Sequence, residues 1–161
     1  MTLTRTFARL VLFLAIACAA PSLHAQREHL SPDEINYIDK KWPGTKKTST
    51  GIRYLVLKPG DGPSPKDGQR AGVIYTGTLL DGKKFDERLD PEHPLVFRVG
   101  REEVIAGWDQ VLPLMKLHEK RLVIIPGILA YGSRGRSPTI PRDATLVFEM
   151  ELVAIDPPQA P

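Results

Sequence analysis

The residues of this chain that could do chemistry are aromatic and apolar rather than nucleophilic or metal-binding. In "EVIAGWDQVL", residues 103–112, Trp108 sits inside a short apolar run. An indole there either fills a core or floors a pocket, since it buries a large area in both cases. Two tyrosines are harder to assign to a core: Tyr75 in "IYTG" and Tyr131 in "LAYG". Tyr131 is flanked by glycine in a loop, where packing rarely demands an aromatic. The titratable residues form no such pattern. There is no G-x-S-x-G, H-E-x-x-H or Walker A string. His24, His29, His93 and His118 are scattered, none at metal-ligand spacing, so no metal is expected. Asp86 and Asp90 are four apart, but in a turn region where helical spacing has no meaning. No nucleophile stands beside a base. Any chemistry here must proceed without acid, base or metal.

The elements that must position these residues follow from the pattern of the chain. Its 161 residues suit one domain. A composition of 42% hydrophobic and 25% charged is ordinary for a globular protein. A net charge of +3, with no basic run interleaved with aromatics, gives no reason to expect nucleic acid. Fifteen prolines favour a loop-rich β or α+β domain over a helical bundle.

Residues 1–25 have the plan of a secretory leader: Arg5 and Arg9, an apolar run from Leu10 to Ala20, then small residues, with cleavage expected after Ala25. The run is too short to span a bilayer, which takes about 20 residues. A secreted or periplasmic location is therefore expected. Cys18, the only cysteine, lies in the leader. It is either incidental or the lipid-bearing residue of a lipoprotein, and Ala15, where such sequences favour leucine, ranks the second reading lower. The mature chain would hold no cysteine, which suits an oxidising compartment.

Residues 26–48 form a polar extension. In "SPDEINYIDKKW", Ser31 and Glu34 fit a capping box and Pro32 the first helical position. A short helix is expected, with Ile35, Ile38 and Trp42 on one face, then a linker. Strands are expected over 52–58, 70–80, 83–87, 95–100, 120–126 and 144–155. In the last, Leu146, Phe148, Met150 and Leu152 share one face and Val147, Glu149, Glu151 and Val153 the other. A short helix opens in "EEVIAGWDQVL". The expected architecture is α+β: an antiparallel half-barrel of five to six strands wrapped around one short helix, spanning 49–156, with residues 157–161 as a tail.

Four segments occur in order: "VIYTGTLLDGKKFD", "EVIAGWDQVLPLM", "LAYGSRG" and "IPRDATLVFEMELV". Together they resemble the FKBP-type peptidyl-prolyl cis-trans isomerases, the tacrolimus-binding family, over about residues 49–156. The resemblance implies a pocket between helix and sheet that takes proline-containing polypeptides, unfolded or newly translocated, and macrolides such as tacrolimus as inhibitors. By position it implies that Tyr75, Asp86 and Tyr131 are catalytic. It implies that Phe85, Phe97, Val104, Ile105, Trp108, Ile140 and Phe148 bind substrate, with Trp108 as the floor. No cofactor is implied, and a monomer is expected. A binding or chaperone module of the same fold with little turnover is the alternative.

The chain departs from the family pattern at Leu95, where an aromatic is usual. His118 stands where glycine is usual, in a turn that would strain it if φ were positive. The loop "GSRGRSPTIPRDA" carries Arg134, Arg136 and Arg142, expected as a basic rim over the pocket.

Overall fold

The alternation in the last strand carries the architecture. A computed structural model describes residues 29–156, so the leader, Cys18 and the tail lie outside the described residues. Helix α1 spans Pro32–Lys41. Seven strands follow: β1 (Lys46–Lys47), β2 (Arg53–Lys58), β3 (Arg70–Leu79), β4 (Lys84–Arg88), β5 (Leu95–Arg98), β6 (Lys120–Ile125) and β7 (Leu146–Ile155). Helix α2 is Ala106–Val111. One antiparallel sheet runs β1-β2-β6-β7-β3-β4, with β5 also paired to β3. The strand absent from the expectation of five to six is β1, within the segment read as linker. Two lysines paired to Tyr54 and Arg53 leave no apolar alternation to read.

Strand β3 positions most of the candidate site. One edge pairs along its length with β7; the other is shared, residues 70–73 with β5 and 75–78 with β4. Its inward residues Ala71, Val73 and Tyr75 meet the inward face of β7, and α2 lies across them. Strand β6 is apolar on both faces because both are covered. Val123 and Ile125 face the α2 side, and Leu122 and Ile124 the α1 side.

The α1 side is closed by the N-terminal extension. Ile38, fully buried, packs with Leu30, Leu122, Ile124 and Val147, flanked by Ile35 and Trp42. This explains why Val147 is buried on the face of β7 that also carries Glu149. The Ser31 N–H donates to Glu34 Oε2 at 2.9 Å, and the Glu34 N–H donates to Ser31 Oγ at 3.3 Å, completing the capping box. The other Glu34 oxygen accepts from Thr145 Oγ1 at 2.6 Å, tying α1 to the start of β7. Burial raises the Glu34 pKa, but the bonds from Thr145 and Ser31 outweigh it and hold the carboxyl below its ordinary 4.5. Its contribution is thus present above that value and lost as pH falls through the folded pKa. Glu34→Ala is expected to cost about 1–2 kcal/mol, the worth of a cap plus one charge-assisted bond, measured by urea denaturation at neutral pH.

His118 does adopt a positive φ of 65°, in the turn before β6. Its N–H donates to the Leu152 carbonyl at 2.8 Å and Nδ1 lies 2.9 Å from Asp61 Oδ1, so the strained backbone is held from both sides.

Candidate active site

The cleft forms where α2 crosses the sheet. Trp108 is in the first turns of α2 and almost wholly buried. Its ring meets Tyr75 and Phe148 edge-on, at 4.9 and 5.2 Å between centroids, and Phe97 at a tilt of 47° and 5.7 Å. Phe85 in turn meets Phe148 at 5.7 Å, near perpendicular. Such T-shaped pairs set the positive edge of one ring on the negative face of the next, so the box holds its shape. Two glycines make room for it. A Cβ on Gly107 would lie 2.5 Å from Ile125 Cγ2, so α2 could not seat as closely. A Cβ on Gly77 would lie 2.8 Å from Phe85 Cζ and 3.0 Å from Phe148 Cε1, which is why the residue two after Tyr75 carries no side chain.

The box opens into a cleft of about 320 Å³. Eight of the expected residues line it: Tyr75, Phe85, Asp86, Val104, Ile105, Trp108, Tyr131 and Phe148. Phe97 and Ile140 do not line it. Phe97 backs the indole, and Ile140 is buried in the loop, its N–H donating to the Arg136 carbonyl at 2.8 Å. Leu95 lines the cleft, as its place in the family pattern implied, while Arg88 and Glu103 are lining residues that sequence reasoning missed. The register pairs Arg88 with Tyr75, but only after a β-bulge between Gly77 and Thr78, which sequence spacing does not reveal. Of the three arginines expected as a rim, only Arg136 lines the cleft.

The polar groups sit at the mouth. The Tyr75 hydroxyl donates to Asp86 Oδ2 at 2.9 Å, and Arg136 Nη1 stands 3.8 Å from that oxygen. Burial, the bond to Asp86 and the Asp86 charge push the Tyr75 pKa from 10.0 up to about 12. The folded value lies above the ordinary one, so this contribution to stability is full at neutral pH and is lost as pH rises from 10 through 12. In an ultraviolet titration of the chain's four tyrosines, Tyr75 is expected to ionise last, and Tyr75→Phe to remove that late step. The Tyr131 hydroxyl and the Ile105 N–H, ahead of α2, have no partner among the described residues and are open to a ligand.

Asp109 fixes the loop leading into α2. Oδ1 accepts the Gly100 N–H and Oδ2 the Glu102 N–H, each at 2.9 Å, holding Glu102 at a φ of 57°. Among the described residues no group of three or more His, Cys, Asp or Glu could hold a metal ion. No helix among them is long and apolar enough to cross a membrane.

Comparison with known proteins agrees with this geometry. The sequence pattern of the FKBP-type peptidyl-prolyl cis-trans isomerase family matches residues 62–153. The peptidyl-prolyl cis-trans isomerase Fkbp12 of Drosophila melanogaster is 41% identical over 66% of this chain and 99% of its own length. FkpA of Escherichia coli K12, an FKBP-type peptidyl-prolyl cis-trans isomerase, is 44% identical over 73% of this chain. The match covers 42% of FkpA, and only 33% of FK506-binding protein 4 of Dictyostelium discoideum, which is 45% identical over 75% of this chain. The chain therefore spans well under two thirds of several of its relatives. The crystal structure of a peptidyl-prolyl cis-trans isomerase from Pseudomonas syringae superposes with a TM-score of 0.67 at 38% identity, covering 76% of this chain and 90% of that one. The chain belongs to the FKBP-type peptidyl-prolyl cis-trans isomerase family.

Proposed function

We propose that this protein accelerates cis-trans rotation about X-Pro bonds in unfolded or newly translocated polypeptides. The observation that carries the reading is the aromatic box floored by Trp108, with unused donors at its mouth. Amide rotation is slow because resonance must be broken, at about 18–20 kcal/mol. The twisted amide has a less polar carbonyl, so water favours the planar ground state. A box that takes the proline ring removes that water, and fixed donors hold the flanking carbonyls. Trp108, Val104, Ile105 and Phe148 would seat the ring, with Phe97 and Ile140 supporting them. The Tyr131 hydroxyl and Ile105 N–H would hold substrate carbonyls. Tyr75, Phe85 and Asp86 would face the rotating carbonyl, the Tyr75–Asp86 bond fixing both side chains. None of these steps moves a proton.

The leader plan of residues 1–25 supports a secreted or envelope location, and a tacrolimus-like macrolide is the expected inhibitor. The test is isomerisation of a short X-Pro peptide, with and without tacrolimus, beside Tyr131→Phe and Asp86→Ala. Inhibitable acceleration that falls in both variants is the expected result. A folded protein that binds the peptide without accelerating it would replace the enzyme by a binding module.

A further inference from the structure

A second cleft, of about 510 Å³, adjoins the first. The two share Glu103, Val104, Ile105 and Tyr131, and Glu102, Ala106 and Ala130 line the second alone. The shared residues include both unused donors, so an extended chain bonded to them runs from one cleft into the other. The two ends differ in charge. At the first, Arg88 donates, among the described residues, only to the His93 carbonyl, at 3.3 Å, and Arg136 stands at a loose 3.8 Å from an Asp86 oxygen already taken by Tyr75. Both arginines are exposed and keep donors free for a carboxylate. Where the clefts meet, the Glu103 carboxylate lines both but is spent on Arg98, accepting Nε at 2.6 Å and the backbone N–H at 2.9 Å. The Glu102 carboxylate has no partner among the described residues, and Asp109 fixes its backbone at the edge of the second cleft.

We infer that the two clefts form one groove that reads opposite charges on the two sides of the substrate proline, a carboxylate at the Arg88–Arg136 end and a cation at the Glu102 end. The inference rests on the isomerase reading above and adds to it a substrate class: polypeptides whose prolines lie between an acidic and a basic residue.

Three peptides test it on the whole protein: one with Glu before and Lys after a Leu-Pro bond, its charge-reversed counterpart, and a Gln/Gln version. Exposed ion pairs of this kind are worth about three-fold each, so one charged peptide should exceed the Gln/Gln version by about ten-fold in kcat/KM and the reversed one should fall below it. The preference should weaken from 0.05 to 0.5 M salt, where the screening length drops below about 10 Å. Arg136→Gln should erase the preference for Glu alone, and Glu102→Gln the preference for Lys alone. Three peptides within two-fold of one another overturn the inference, as does a preference that survives both substitutions or the added salt. Should no peptide be turned over, the isomerase reading fails by itself. Fluorescence anisotropy of the same labelled peptides then reads the groove separately, and equal affinities overturn it.

Discussion

Trp108→Ala is expected to lower folding stability by about 3–5 kcal/mol, the usual cost of emptying a buried aromatic site. It should also cut isomerisation at least about ten-fold, or about 1.4 kcal/mol, which is what one or two lost aromatic contacts supply. Three ring partners, Tyr75, Phe97 and Phe148, lose their common neighbour at once. Trp108→Phe separates the two effects. The indole N–H is buried and has no hydrogen-bond partner among the described residues, so replacing it removes an unsatisfied donor and offsets part of the packing loss. The Phe variant should unfold within about 2 kcal/mol of the parent and still show the activity defect, because a smaller ring leaves a gap beneath the substrate proline. Denaturation and peptide kinetics on both variants decide it. If the Phe variant retained full activity, Trp108 would be core alone.

The second large effect lies away from the cleft. Glu119 and Arg121 are both buried, at 5% and 4% exposure, the only oppositely charged pair so enclosed among the described residues. Arg121 Nε donates to Glu119 Oε1 at 2.6 Å and Nη2 to the Leu114 carbonyl at 2.8 Å, while the guanidinium lies over the Tyr54 ring at 4.6 Å. Glu119 Oε2 accepts the Lys116 N–H at 3.1 Å. The pair thus fastens the turn after α2 to the sheet. Glu119→Ala leaves a buried cation uncompensated and is expected to cost about 3–5 kcal/mol. Adding Arg121→Met should restore much of that loss, since a matched apolar pair avoids the desolvation of either charge. Urea denaturation of the single and double variants measures the difference. Equal stability of the two would show that Arg121 has no need of its partner.

Legibility followed the range of the interaction. Tyr131 was readable because an aromatic in a glycine loop has no packing reason to be there. The inward face of β7 was readable from alternation alone. The resemblance brought Tyr75 and Asp86 to one site, and the 2.9 Å bond between their side chains joins them there. Arg88 was missed because its place opposite Tyr75 follows only from the bulged β3–β4 register. Arg134 and Arg142 looked equivalent to Arg136 in the sequence, yet only Arg136 reaches the cleft. The capping box of α1 was legible from four residues, but its seat on Leu122, Ile124 and Val147 depends on strands about 80 to 110 positions away.

The place of β7 governs the order in which this protein can take shape during synthesis. The strand made last among those described lies in the middle of the sheet, between β6 and β3. Until it emerges, β1, β2 and β6 form one half and β3, β4 and β5 the other, with no ladder joining them. Nine register pairs to β3 and six to β6 form only after residue 146 is available. Phe148, a wall of the cleft, arrives on that same strand. A growing chain therefore carries the unpaired edges of β3 and β6 and no finished cleft until β7 is released, and a truncation before Leu146 leaves two unjoined halves rather than a smaller working domain.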